Sequence, residues 1–152
     1  MNKRLLVLSA MLLSAPTFAD NCSGEFVNVK GGTSSPVDIS AGKALFYAGD
    51  AKSNTVTSKD TPYNGVGSCT GYVYEQDGKT FVSDVCVRTT ANGDSWGTVG
   101  IFNPETKRGT WRATFGTGKF AKNMGSTGWF EVVTDDDKNT SGKWGGNCVG
   151  VN

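Results

Sequence analysis

Histidine is missing from all 152 residues. That gap excludes Ser-His-Asp and Cys-His nucleophilic catalysis and removes the commonest ligand for transition metals. Long apolar runs are missing too: beyond residue 19 no segment is apolar enough to cross a membrane. Charge of one sign is not in excess, with 15 Lys+Arg against 14 Asp+Glu, and neither a basic patch nor an acidic tail stands out. Nothing therefore points to nucleic acid or to an anionic membrane surface. Proline is scarce, at 4 residues, and only the first nineteen residues read as a helix.

What is present is a β composition. Glycine is abundant, at 21 residues, and threonine, valine and aromatics are plentiful. Such a chain implies many short strands joined by glycine-rich turns. The N-terminus places Lys3 and Arg4 before the apolar run Leu5 to Leu13 and the small-x-small motif Thr17-Phe18-Ala19. This pattern predicts a signal peptide over residues 1–19 and one domain over 20–152, exported to the periplasm or the extracellular medium. Removal of Lys3 and Arg4 takes the net charge from +1 to −1. Four cysteines in an exported chain imply two disulfides, with three possible pairings. A four-cysteine zinc site is disfavoured by the lack of a CxxC pair, so no metal site is expected.

Cys69 and Cys86 lie in mirror positions about Asp77-Gly78. An Asp-Gly pair between β-rich runs is a strong hairpin signal. Folding there sets Gln76 opposite Lys79, Tyr74 opposite Phe81, and Cys69 opposite Cys86. Pair types alternate along an antiparallel ladder, and the count makes Cys69/Cys86 a non-hydrogen-bonded pair, close enough for a disulfide. By elimination the second bridge is Cys22–Cys148, which ties the two ends of the domain together.

Further strands are expected at Glu25–Val29, Lys43–Ala48, Thr55–Ser58, Ser95–Asn103, Gly109–Phe115, Thr127–Thr134 and Lys143–Val149, with a break over Gly31–Ser35. Sequential strands whose ends meet predict an all-β fold: a closed or nearly closed antiparallel barrel of eight strands, with a β-sandwich as the alternative. Alternation in the cysteine hairpin puts Tyr72, Tyr74, Phe81, Ser83 and Val85 on one face. Cys69, Val73, Glu75, Thr80, Asp84 and Cys86 take the other. The aromatic face is expected inward, and so is the set Trp111, Ala113, Phe115.

Three glycine-punctuated pieces carry a resemblance. They are Gly109-Thr110-Trp111, Gly116-Thr117-Gly118-Lys119-Phe120-Ala121 and Gly125-Ser126-Thr127-Gly128, followed by the ending Lys143-Trp144-Gly145-Gly146-Asn147-Cys148. Over roughly Ser68 to Cys148 the chain resembles the allene oxide cyclase-like and dirigent-like barrels, in particular small exported bacterial members of unassigned function. The resemblance implies an eight-stranded barrel with an apolar cavity. The enzymes of that group orient a hydrophobic substrate for cyclisation or coupling, and none of their catalytic residues matches a position here.

With histidine absent and the cysteines oxidised, any chemistry falls to carboxylates, Tyr, Lys and Arg. Glu131 is the one weak catalytic candidate. It shares a strand face with Trp129 and Val133, and an inward carboxylate in an apolar lumen would have a raised pKa. If that face points out, Glu131 is a solvated surface residue. Asp135-Asp136-Asp137 lacks calcium-loop spacing and reads as a solvated turn.

The expected function is noncovalent binding of a small apolar or aromatic molecule in the lumen, walled by Tyr72, Tyr74, Phe81, Trp96, Trp111 and Phe115. One alternative is a cyclase or isomerase working without histidine, metal or cofactor. Another is a structural or protein-interaction module that uses an outward Val73/Val82 patch. The sequence does not fix the oligomeric state.

Overall fold

The computed structural model describes residues 20–31, 33–39, 42–48, 51–76 and 79–151. The expected signal peptide and the Asp77-Gly78 turn lie outside them. Ten strands are present among these residues: β1 (Cys22–Lys30), β2 (Thr33–Ile39), β3 (Gly42–Ala48), β4 (Ala51–Thr57), β5 (Gly65–Gln76), β6 (Lys79–Thr89), β7 (Ser95–Asn103), β8 (Arg108–Gly116), β9 (Thr127–Asp135) and β10 (Asn139–Asn147).

Eight of them close on themselves. β5, β4, β1, β10, β9, β8, β7 and β6 pair in that order, and β6 pairs back onto β5, every neighbour antiparallel. Closure satisfies the backbone groups that an open sheet would leave along its edges. The fold is thus the antiparallel eight-stranded barrel that the sequence predicts. β2 and β3 were not both foreseen. They form a hairpin on the long strand β5, whose one edge is shared between β4 at Gly65–Gly67 and β3 at Gly71–Glu75. The run Thr33–Ile39 overlaps the break expected over Gly31–Ser35; it shows little alternation and contains Pro36. Its place at the end of the pairing order suits such a residue, because an edge position tolerates a missing N–H.

The cysteine hairpin has the expected register: Gln76 pairs with Lys79, Tyr74 with Phe81 and Cys69 with Cys86. The Cys69 and Cys86 Cα atoms are 4.0 Å apart and their sulfurs are bonded. Cys22 is bonded to Cys148, just beyond the end of β10, and β1 and β10 are barrel neighbours, so the second bridge does join the ends of the domain.

The direction of the hairpin's faces is the reverse of the expected one. Cys69 and Cys86 are buried, whereas Tyr72, Phe81 and Val85 are exposed. The reason is volume. An eight-stranded barrel has room for one layer of side chains, and aromatics from other elements already take it. Tyr63, Trp96, Phe120 and Trp144 cluster where β1, β5, β7 and β9 begin and β4, β6, β8 and β10 end, with ring centroids 4.7 to 5.9 Å apart. Phe120 arrives from the 3-10 turn Gly118–Phe120, which folds the glycine-rich connection back over that end of the barrel and leaves the ring fully buried. Gly118 has φ +53°, and a Cβ there would lie 1.7 Å from the Asp94 carboxylate, so the turn requires glycine at that position. Phe26, Phe102 and Phe130 pack edge-on and stacked further along the lumen.

With most of the interior taken up by these rings, the small disulfide takes the inner side of β5 and β6, and the hairpin's aromatics stack on the outer wall. The Tyr74 and Phe81 rings lie 4.8 Å apart at 13°, a cross-strand pair.

Candidate functional site

A cavity of about 90 Å³ remains inside the barrel. Its walls come from seven strands. Phe26 and Asn28 (β1), Asn54 and Val56 (β4), Trp111 (β8), Phe130 (β9) and Trp144 (β10) line it together with Asp84, Cys86 and Arg88 of β6 and Trp96, Thr98 and Gly100 of β7. Aromatic rings make up much of the wall, and a connected set of polar side chains on β1, β4, β6 and β7 makes up its polar side. The volume corresponds to about three water molecules, at roughly 30 Å³ each. It is below the roughly 300 Å³ at which drug-sized pockets begin, so the lumen suits a fragment-sized molecule or one group of a larger one.

The polar side is built by alternation along β6, which turns Asp84, Cys86 and Arg88 inward together. Arg88 is 9% exposed. Its Nε donates to Asn54 Oδ1, and its Nη1 donates to Thr98 Oγ1 at 2.9 Å. Asn54, 2% exposed, donates from Nδ2 to Asn28 Oδ1. The network reaches β1, β4, β6 and β7 and fixes the plane of the guanidinium. Gly100 makes room for Asp84 on the facing strand, since a Cβ at Gly100 would lie 2.5 Å from Asp84 Oδ1. Burial pushes the Asp84 carboxyl up, opposed by Arg88 and by the Gly100 backbone N–H. Burial pushes Arg88 down to about 10, opposed by Asp84. One basic and one acidic side chain thus share a small, mostly apolar chamber. Asp84 also lies with both sulfurs of the Cys69–Cys86 bridge inside a 4.8 Å sphere. Both sulfurs are committed to the disulfide and so offer no thiolate to a metal.

The structure divides the sequence-derived candidates between the two sides of the wall. Trp96 is 2% exposed in the core, and Trp111 lines the cavity. Tyr72, Phe81 and Phe115 are 38 to 39% exposed on the outer surface, and Tyr74 stacks there between Tyr72 and Phe81. The misplacement of Phe115 has a local cause. Between Gly97 and Thr98 the register of β7 against β8 slips, so that Thr98 pairs with Ala113 and Gly97 with Phe115. The extra residue, Thr114, flips the alternation, and Phe115 covers the bare outer side of Gly97, a Cβ of which would meet its ring at 2.2 Å.

Glu131 faces out, where it accepts an ion-pair contact from Arg108 Nη2 at 3.3 Å. Trp129 on the same face is exposed and donates from Nε1 to Asp20 Oδ2 at 2.8 Å. The inward residues of β9 are Phe130 and Val132, which pack on the core. Val73 and Val82 form a cross-strand pair on the inward, disulfide side of the hairpin, so they offer no outer patch. The acidic run is a turn. Asp135 binds Lys30 Nζ at 2.6 Å, and Asp136 Oδ1 accepts the backbone N–H groups of Lys138 and Asn139, each at 2.8 Å.

Arg88, Asp84, Asn54 and Thr98 were not singled out from the sequence. The signal was present, since Asp84 and Arg88 share their strand face with Cys86, but charged residues on a strand read as a solvated face. No family, curated protein or solved structure matches the chain.

Proposed function

We propose that the protein binds a small molecule noncovalently inside the barrel, with its apolar part against Phe26, Trp111 and Phe130. The observation that carries this reading is the cavity itself: space kept open among aromatic side chains beside a buried, hydrogen-bonded arginine. Burial of an arginine is costly, and a barrel with no ligand is better served by apolar filling at that position. The resemblance of the glycine-punctuated connection to the allene oxide cyclase-like and dirigent-like barrels points the same way. Two disulfides, and no helix long and apolar enough to cross a membrane among the described residues, support export with loss of residues 1–19.

Native mass spectrometry of protein purified from its own cells tests the binding. The expected result is a bound small molecule on the natural chain and none on Val56→Phe, whose larger side chain fills the cavity beside Phe26. Equal retention by both proteins refutes the lumen as the site. The intact mass from the same spectrum reports the cleavage after Ala19.

A catalytic reading is favoured only through Asp84, a carboxyl with raised pKa that faces the cavity. It predicts that Asp84→Asn abolishes turnover of a bound substrate while Glu131→Gln leaves it intact.

A further inference from the structure

Arg88 and Asp84 are the charged side chains that line the cavity, one cation and one anion, and they do not come into ion-pair contact with each other. A guanidinium carries five N–H donors. Nε and one Nη1 hydrogen are taken by Asn54 and Thr98, and Nη2 has no acceptor among the described residues. A carboxylate offers only acceptors, and that of Asp84 has the Gly100 N–H beside it. Arg88 and Asp84, four residues apart on one face of β6, therefore bring unmatched donors and unmatched acceptors to the same cavity.

Charge decides what can fill that gap. A carboxylate ligand would set two anions against one cation, and an ammonium ligand two cations against one anion. Either leaves one buried charge without a partner, a costly state in a mostly apolar chamber. A neutral head group that carries an acceptor and a donor on the same carbon leaves none. We propose that the lumen site selects ligands with a carboxamide-type head, whose carbonyl accepts from Arg88 and whose N–H donates to Asp84, and that it rejects the matching acid and amine. The inference rests on the lumen-binding reading above and names the ligand class for it.

The test is a titration of the mature protein, disulfides intact, at neutral pH, followed by NMR on the Arg88 Nε–H and Trp111 indole N–H signals. Four probes are compared: propionamide, propionate, propylammonium and xenon, the last without a head group. The expected order places propionamide about tenfold or more ahead of the acid and the amine, the scale set by one unmatched buried polar group. Asp84→Asn should then turn the preference toward propionate, because the lumen keeps only its cation. Equal affinities for the three head groups, or propionate tightest in the natural protein, would overturn the proposal. If xenon moves the lumen signals and the head groups do not differ, the cavity binds ligands but the head-group selection is wrong. If no probe moves them, the lumen reading fails and the selection with it. The comparison on the natural protein decides the matter even if Asp84→Asn does not fold.

Discussion

The two disulfides close loops of very different length, and that difference makes a quantitative forecast. Cys22–Cys148 spans 126 positions and Cys69–Cys86 spans 17. In the chain-entropy treatment the restraint on the unfolded chain grows as the logarithm of loop length. The short loop gives about 3 kcal/mol at room temperature. The long loop gives about 5 kcal/mol, or slightly less because the short bridge already shortens it from within. Three of the four half-cystines are under 9% exposed, so replacement of either pair with alanine carries a comparable local packing cost. The difference between the two double variants then reports the loops. Cys22→Ala/Cys148→Ala should lose roughly 1.5 kcal/mol more than Cys69→Ala/Cys86→Ala. Against a typical domain stability of about 5–15 kcal/mol, the end-to-end bridge is a large share of the total. Urea denaturation of the two variants and the natural protein reads this directly. The m-value should rise most for the Cys22/Cys148 variant, whose unfolded chain expands most. A larger loss from the short loop would refute the reasoning and place the stabilisation in native packing around Asp84 instead.

Other consequences follow from which side of the wall each residue occupies. Trp96→Ala, which empties the packed end of the barrel against Tyr63 and Phe120, should cost about 3–5 kcal/mol in the same denaturation assay. Tyr72→Ser together with Phe81→Ser should leave ligand affinity in the lumen unchanged, because both rings lie outside; a loss of affinity by titration would return the site to the outer face. Glu131→Gln should change stability by at most about 1 kcal/mol, the scale of an exposed ion pair. The Asp84 carboxyl is raised above its unfolded value of 3.8. Between 3.8 and its folded pKa the folded chain therefore binds more protons than the unfolded one. Its contribution to stability falls as pH rises through that window. Asp135 acts in the opposite direction. Its pKa is lowered first by the Lys30 hydrogen bond, and its contribution is present above 3.8 and lost as pH falls through the folded value. Asp84→Asn should remove the falling limb from the stability–pH profile, and a profile unchanged by that substitution would contradict the desolvation of the Asp84 carboxyl.

The barrel, its antiparallel order and both disulfides were legible in the sequence because each left a local mark. The Asp-Gly pair at 77–78, read from the sequence as a turn, led to the register that β5 and β6 have, and the remaining cysteine pair pointed to the joined ends. The β2 strand was not legible, because its own pattern shows little alternation and contains Pro36, although its partner β3 is the next strand in the chain. The inner face was misread for a related reason. Alternation tells which residues share a face, and it cannot tell which face looks inward when one carries aromatics and the other carries a disulfide with charges. That choice depends on how much lumen the rest of the chain has already filled. Trp96, Trp144, Phe120 and Tyr63 had filled it from four separate segments. Phe115 was lost to a one-residue bulge, which alternation does not anticipate. The site itself was hidden because Asp84 and Arg88 are tolerable inside only as a set with Asn54, Asn28 and Thr98, and that set spans seventy residues of chain.

The four tryptophans test the central claim together. Trp96, Trp111 and Trp144 belong to the lumen, and Trp129 lies on the outer wall. In a titration with a mixture of small fragments, followed on the four indole N–H signals, binding in the barrel predicts shifts at Trp111 and Trp144 with Trp129 unmoved. Shifts confined to Trp129, or none at the inward indoles with any fragment, would contradict it.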